Sequence, residues 1–336
     1  MNLEDKIEIV KDILKDKKVA VGFSGGADST LIAYLASKVS SDVLAITIDN
    51  HLFPDNFIKN TQDRAGNFNI KHHVIDLNFY EDKEFLKNLS SRCYSCRNLM
   101  YNKIKDYALS HDFDFICDGN NISDLVIDRP GILITYKMNF ETPLIEAKLT
   151  SKEIHEYLNK NNIPYSKSTT CLATRIPTDT CITKDKVEKI KKSENILSKI
   201  SGCELVKVRD FNELGVCELN DFSNIINMNS FNEINDQLKS IGYKKVCLNL
   251  SPLDDDEDII LEYKNNQFQY QLPFTINLEK TKEKLGTKIL FENSQKIELE
   301  KIVINKRGLI EGHDFKDYDE ALFEFMNTLP KIRREV

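Results

Sequence analysis

Residues Val19-Ala20-Val21-Gly22-Phe23 run directly into Ser24-Gly25-Gly26-Ala27-Asp28-Ser29-Thr30, and this junction limits the possible folds more than any other segment. An apolar run of strand length, a glycine pair and then a helical pattern read as strand, turn and helix. Glycines let backbone N–H groups approach an oxyanion, and the helix N-terminus adds the positive end of its dipole. The hydroxyls of Ser24, Ser29 and Thr30 add donors. No lysine follows the glycines, which excludes the GxxxxGK[ST] phosphate loop.

The same alternation continues to residue 118. Strands are expected at Lys18–Phe23, Val43–Ile48, His72–Leu77 and Phe113–Cys117. Helices are expected between them at Asp28–Val39, Asn56–Phe68 and Tyr94–Ser110. This order predicts an α/β fold with a parallel sheet, whose ligands bind at the carboxyl ends of the strands. The phosphate loop, Asp49-Asn50 and Asp118-Gly119-Asn120 would meet there. Leu3, Ile7, Val10 and Leu14 share one helical face, so the N-terminus reads as an amphipathic helix and not a signal peptide. A cytoplasmic protein is expected. No apolar run approaches the length of a membrane span. The net charge of −7 weighs against a nucleic-acid partner.

Thr150-x-x-Glu153 is a capping box for a helix to Asn161. A smaller α/β unit follows: helix Lys184–Ile200, strands Leu205–Arg209 and Gly215–Leu219, helix Phe231–Ile241 capped by Ser230-x-x-Glu233, and strand Lys245–Leu250. Residues 254–258 are all acidic and suggest a linker. Beyond it, Asn265-Asn266 and Lys306-Arg307-Gly308 each join two strand candidates, and Tyr318–Leu329 reads as a closing helix. The expected organisation is a first domain over 1–165, an α/β subdomain over 166–250, a linker over 251–258 and a β-rich C-terminal unit over 259–336.

Eight cysteines in a chain of this kind suit metal or thiol chemistry better than a disulfide framework. Cys93-Tyr94-Ser95-Cys96 is a CxxC just before a helix. Cys171 lies in a loop among Thr170, Thr174 and Arg175, where cations are expected to favour its thiolate. Cys117, Cys203, Cys217 and Cys247 sit in apolar, strand-like settings and read as packing thiols. Cys181 is a possible fourth ligand. Three thiolates are too few for a closed Cys₄ zinc site. They suit a [4Fe–4S] cluster that leaves one iron without a protein ligand and open to an added sulfide. The plainer reading of Cys93 and Cys96 is a thiol pair without a cluster.

The SGGADST segment resembles the PP-loop, SGGxDS, of enzymes that split ATP between its α and β phosphates. Together with RCYSCR at 92–97, CDGNNISD at 117–124, DRPG at 128–131, TPLIEAKLTSKEI at 142–154 and CLATRIP at 171–177, it resembles the LarE family of PP-loop sulfurtransferases. The resemblance covers roughly residues 1–250 and leaves the 78 residues from 259 to 336 outside it. It implies an adenine nucleotide α-hydrolase-like first domain and a nucleotide substrate, pyridinium-3,5-biscarboxylic acid mononucleotide. ATP would adenylylate a substrate carboxylate and sulfur would displace AMP, giving a thiocarboxylate for the nickel-pincer nucleotide cofactor. Ser24, Gly25, Gly26, Asp28, Ser29 and Thr30 would hold pyrophosphate with Mg²⁺, and Asp49, Asp118 and Gly119 would lie near adenosine. Arg129, Arg175, Lys207 and Arg209 would meet substrate phosphate or carboxylates, with Glu194 as a polar or proton-handling partner and Arg175 also beside the reacting sulfur. Cys93, Cys96 and Cys171 would hold the cluster, fed by a sulfide source. In the alternative form Cys171 gives up its own sulfur. A homo-oligomer is expected. A PP-loop tRNA thiolase and a non-catalytic adenine-nucleotide sensor are the competing readings.

Overall fold

The structure is a computed structural model that describes residues 1–167, 170–253, 259–286 and 289–335. The acidic run proposed as a linker, 254–258, lies outside the described residues. In chain order the first unit comprises α1 (Leu3–Leu14), β1 (Lys18–Gly22), α2 (Ala27–Val39), β2 (Asp42–Asp49), α3 (Phe57–Asn67) and β3 (Lys71–Asp76). It continues with α4 (Lys83–Leu86), α5 (Arg92–Ser110), β4 (Phe115–Cys117), α6 (Ile132–Met138), α7 (Pro143–Glu146) and α8 (Ser151–Lys160). The four strands form the expected parallel sheet, in the order β3-β2-β1-β4.

Strand periodicity explains how both faces are covered. Val19, Val21 and Val43 pack with Ile7, Val10 and Leu14 of α1, Leu31 and Leu35 of α2, and Ile154 and Leu158 of α8. Ala20, Leu44, Ile46 and Ile48 point the other way, onto Tyr101 and Ile104 of α5 and Ile134 of α6. Each such apolar side chain contributes about 1.5–3 kcal/mol when fully buried. The chain leaves β1 for β2 on one side, while β4 pairs on the other. The turns after β1 and β4 therefore face each other across a crevice at the strand ends.

The second unit holds α9 (Lys184–Ser201), β5 (Val206–Phe211), β6 (Leu214–Leu219), α10 (Met228–Ser240) and β7 (Lys245–Leu248). Its sheet runs β5-β6-β7, antiparallel then parallel. One local expectation is corrected. The cap of α10 is Asn227, whose side chain accepts from the Ser230 amide at 2.9 Å, so Ser230 already lies in the first turn. An asparagine in extended backbone caps as well as serine does.

The C-terminal segment forms β8 (Glu262–Lys264), β9 (Gln267–Gln271), α11 (Leu278–Leu285), β10 (Phe291–Glu292), β11 (Lys296–Glu298), β12 (Ile302–Asn305), β13 (Leu309–Gly312) and α12 (Tyr318–Thr328). Its antiparallel sheet has the order β10-β11-β12-β13-β9-β8 and contains both expected hairpins. Its core of Phe268, Ile304, Phe315 and Phe325 continues into Ile122, Leu125, Ile132 and Ile145 of the first unit. Arg334 pairs with Asp128 at 2.6 Å, and Arg333 lies 3.9 Å over the Tyr136 ring. The segment is thus a layer built on residues 122–145. Among the described residues no helix is long and apolar enough to cross a membrane. Phe268 is 1% exposed at the centre of the shared core. Phe268→Ala should cost about 3–5 kcal/mol, read as a lowered urea midpoint.

Candidate functional site

The turn after β1 has the construction that its sequence suggests. Gly25 has φ +70°, which a side chain rarely tolerates, and Gly26 is the N-cap of α2. Ser29 Oγ lies 3.2 Å from Ser24 Oγ and 3.3 Å from the Gly26 carbonyl, which it meets as donor. Thr30 Oγ1 is buried without a partner among the described residues. A segment from beyond α8 closes one side, where the Ser166 amide donates to the Gly25 carbonyl at 2.7 Å. This cradle suits a polyphosphate, with helix-terminal donors on a rigid sheet edge.

The β4 turn comes against it from the other side of the crevice. A Cβ on Gly119 would stand 3.0 Å from the Ser29 nitrogen and 3.1 Å from Asp28 Cβ, so a side chain there would push the two turns apart by a few tenths of an ångström. Asn121 Nδ2 then donates to Asp28 Oδ1 at 2.9 Å. Burial, helped by the charge of Asp124, raises the Asp28 carboxyl to about 7, against the Asn121 hydrogen bond and the charges of Arg129 and His155. A bound cation would favour the ionised form, so Asp28 fits a magnesium ion shared with phosphate.

The remaining carboxylates here divide by role. Asp118 is 2% exposed and engaged within the protein: it accepts from Arg97 at 3.2 Å, Tyr101 at 2.9 Å and Thr135 at 2.6 Å, and from Asn120. Its visible work is to fix the β4 turn. Asp49 ends β2 next to Asp76 of β3, accepts from the His51 amide at 3.0 Å and remains near the surface. Arg129 pairs with Asp124 and so stands on the Asp28 side of the molecule.

The thiol-bearing elements meet elsewhere on the same unit. Cys93 and Cys96 lie inside α5, not ahead of it as expected, and so share a helix face at i and i+3. Cys171 directly precedes a 3₁₀ turn, Leu172–Arg175. Arg92 joins the two segments. It donates to the Ala173 carbonyl at 3.1 Å, approaches Cys93 Sγ at 3.5 Å and bonds Asn88. Asn88, fully buried, donates in turn to the carbonyls of Pro177 at 2.8 Å and Thr180 at 3.0 Å. Burial pushes the Cys171 thiol up despite Arg92 and Arg175, and pushes Cys96 up further, with Cys171 and Cys93 adding to the rise. The expected lowering of the Cys171 thiol is therefore reversed, because desolvation outweighs the cations. Among the described residues no three His, Cys, Asp or Glu side chains already stand as metal ligands. The donor set is all sulfur, which suits iron–sulfur ligation in kind.

Arg175, 1% exposed, spans this loop and the second unit. Its Nε meets Glu194 Oε1 at 2.7 Å, and its Nη1 meets Thr170 and Thr174 hydroxyls at 2.6 and 2.7 Å. Its Nη2 is buried without a partner among the described residues. Glu194 also accepts from the Val208 amide at 3.1 Å, and burial raises its carboxyl against the Arg175 charge. Lys207 is near enough to influence that carboxyl, and Arg209 pairs with Glu218 at 2.8 Å while reaching toward the Thr174 carbonyl. Cys171, Arg175, Glu194, Lys207 and Arg209 thus share one region. The reading of residues overlooked Asn121, Arg92 and Asn88 as organisers. Their positions in the CDGNNISD run and beside the CxxC were the available signals.

The Asp28 carboxyl has a native value above its ordinary 3.8, so ionising it opposes folding. That cost is absent below about pH 4, grows as pH rises toward 7 and is complete above it, on the order of 4 kcal/mol. Asp28→Asn should match the native protein in urea unfolding near pH 4 and exceed it near pH 8. Equal midpoints at both would mean that the site compensates the charge.

Comparison with known proteins places this geometry. The family model for NAD synthase matches residues 2–96. The uncharacterized protein MJ0830 of Methanocaldococcus jannaschii is 31% identical over 243 residues, covering 72% of this chain and 92% of that protein. Protein slr1717 of Synechocystis is 26% identical over 255 residues, 74% of this chain and 94% of that protein. The tRNA-specific 2-thiouridylase MnmA 1 of Aliarcobacter butzleri is 26% identical over 121 residues, 32% of this chain and 35% of that enzyme. With a phosphate cradle at the sheet's switch point and nearly all of MJ0830 matched, the chain belongs to the family of MJ0830, built on a PP-loop domain of the NAD synthase type.

Proposed function

We propose that the protein is an ATP-dependent sulfurtransferase that converts a carboxylate of pyridinium-3,5-biscarboxylic acid mononucleotide to a thiocarboxylate. The observation that carries this reading is the clasp of Arg92 and Asn88, which holds the CxxC helix against the Cys171 loop. Ser166 is bonded to the phosphate loop, and Cys171 follows five residues later. At about 3.5 Å per residue the thiol segment lies within ~18 Å of the cradle, inside the reach of an adenylylated nucleotide.

A carboxylate is a poor electrophile because its oxygen leaves badly. Its attack on the α phosphorus of ATP forms an O–P bond and breaks the bond to pyrophosphate, which takes the electron pair. The cradle of Ser24, Gly25, Gly26, Ser29 and Thr30 is suited to hold that leaving group. Asp28 would hold magnesium, which offsets phosphate charge when bound. Asp49, Asp118 and Gly119 frame the adenosine side, with Asp118 acting through the turn that it fixes. Arg129 and Arg209 would meet substrate anions, and Lys207 would do so beside Glu194. The unpartnered Nη2 of Arg175 is a donor for substrate carboxylate or phosphate. Sulfur then attacks the acyl carbon and AMP leaves.

Cys93, Cys96 and Cys171 would hold a [4Fe–4S] cluster, which supplies an added sulfide when bound. The distant likeness to 2-thiouridylases supports ATP-driven sulfur chemistry in general. Anaerobic purification should give about four irons per chain, with Cys93→Ala and Cys171→Ala each losing most of them. Pyrophosphate release should require the carboxylated nucleotide. Absence of iron after reconstitution, with one turnover surviving in Cys93→Ala, would instead make Cys171 the consumed donor. ATP-dependent thiolation of tRNA would replace the substrate assignment.

A further inference from the structure

We propose that Arg64 is a pyrophosphate-binding residue, gripping the β and γ phosphates of ATP beside Gly25. The inference rests on the ATP-splitting half of the reading above and not on its sulfur half. Arg64 stands on α3, one turn beyond Thr61, and both face the glycine turn. The Cβ position of Gly25 lies 3.3 Å from Thr61 Cγ2 and 3.4 Å from Arg64 Cδ. The arginine stem therefore rests on the phosphate loop itself. Its Nη1 donates to the Asn60 carbonyl at 3.0 Å, which fixes one edge of the guanidinium. Its Nε is buried and unpartnered among the described residues.

Arg64 forms no ion pair among the described residues. The adjacent Asp63 influences its charge without bonding it, and burial disfavours its protonated form. A half-buried guanidinium without a counter-ion costs folding free energy, and an anion at the loop would offset that cost. Arginine's planar fork matches a phosphate in two parallel hydrogen bonds. The turn supplies helix-terminal N–H groups, and Arg64 supplies a side-chain cation held beside them. As the α-phosphoryl group passes to the carboxylate, the electron pair collects on the departing pyrophosphate. A cation placed there strengthens its hold as the bond breaks.

The test uses calorimetry on the full chain with magnesium pyrophosphate, the α,β-methylene analogue of ATP, and AMP. Arg64→Ala should weaken pyrophosphate and the ATP analogue by about 10- to 100-fold while AMP changes by less than about twofold. Arg64→Lys should recover part of the loss, since it keeps the charge without the fork. Equal weakening of AMP and pyrophosphate would reduce Arg64 to a packing residue and overturn the proposal, as would no change in either. A native chain that fails to bind pyrophosphate would overturn both this inference and the ATP reading. Pyrophosphate binding that depends on Arg64, without thiocarboxylate formation, would uphold the inference and remove only the sulfur reading.

Discussion

Asp28 and Asn121 bond across the crevice between the ends of β1 and β4, and the turns of the first unit meet at that contact. The close approach of the β4 turn is helped by Gly119, whose missing side chain leaves room against Ser29. The turn is held in turn by Asp118, whose carboxylate gathers Arg97, Tyr101, Thr135 and Asn120. Buried carboxylates survive when fully hydrogen-bonded, and this one spends its acceptors on structure. Asp28 is different: it has one asparagine donor and a neighbouring acid. The same crevice therefore contains one carboxylate saturated by the fold and another with a single side-chain donor.

The thiol region follows a related logic. Two segments more than 80 residues apart in the chain are joined by Arg92 and Asn88 through backbone carbonyls, with protein groups alone. Desolvation pushes the Cys96 and Cys171 thiols up, toward keeping their protons. A metal would displace those protons, because a coordinating thiol is deprotonated outright. Arg175 and Glu194 carry the same segment to the second unit as a buried ion pair, with the Arg175 Nη2 left without a partner among the described residues. Such a pair stabilises little after its desolvation cost. Its value is the fixed orientation of a cation beside Cys171.

The C-terminal sheet adds a constraint from the opposite side. Its core includes Ile122, Leu125 and Ile132, which flank Asp124 and Arg129. Those two residues are within electrostatic reach of Asp28. Packing interiors transmit displacement because they are dense. The C-terminal sheet thereby supports the segment that carries Asp124 and Arg129 near Asp28.

Much of this was legible in the order of residues. Period-two strands, helical stripes, the two-asparagine hairpin and the glycine-rich turn are local properties, and each appears in the structure close to where its pattern lies. The CxxC and the Cys171 loop were legible as separate thiol-bearing segments. Their relation was not, because it depends on Arg92 reaching a carbonyl across 81 positions of chain. Arg64 was illegible for the same reason: on α3 it is one cation among many exposed positions, and only packing sets it against Gly25. The sequence by itself determined the parallel α/β sheet, the phosphate turn and the inventory of thiols and cations, since these follow from backbone periodicity and side-chain type. Tertiary structure alone decided that Asp118 is saturated with donors while Asp28 has one, and that burial raises the Cys171 thiol. It also decided that the C-terminal sheet shares a core with the first unit, because desolvation and long-range contact arise only when distant segments pack together.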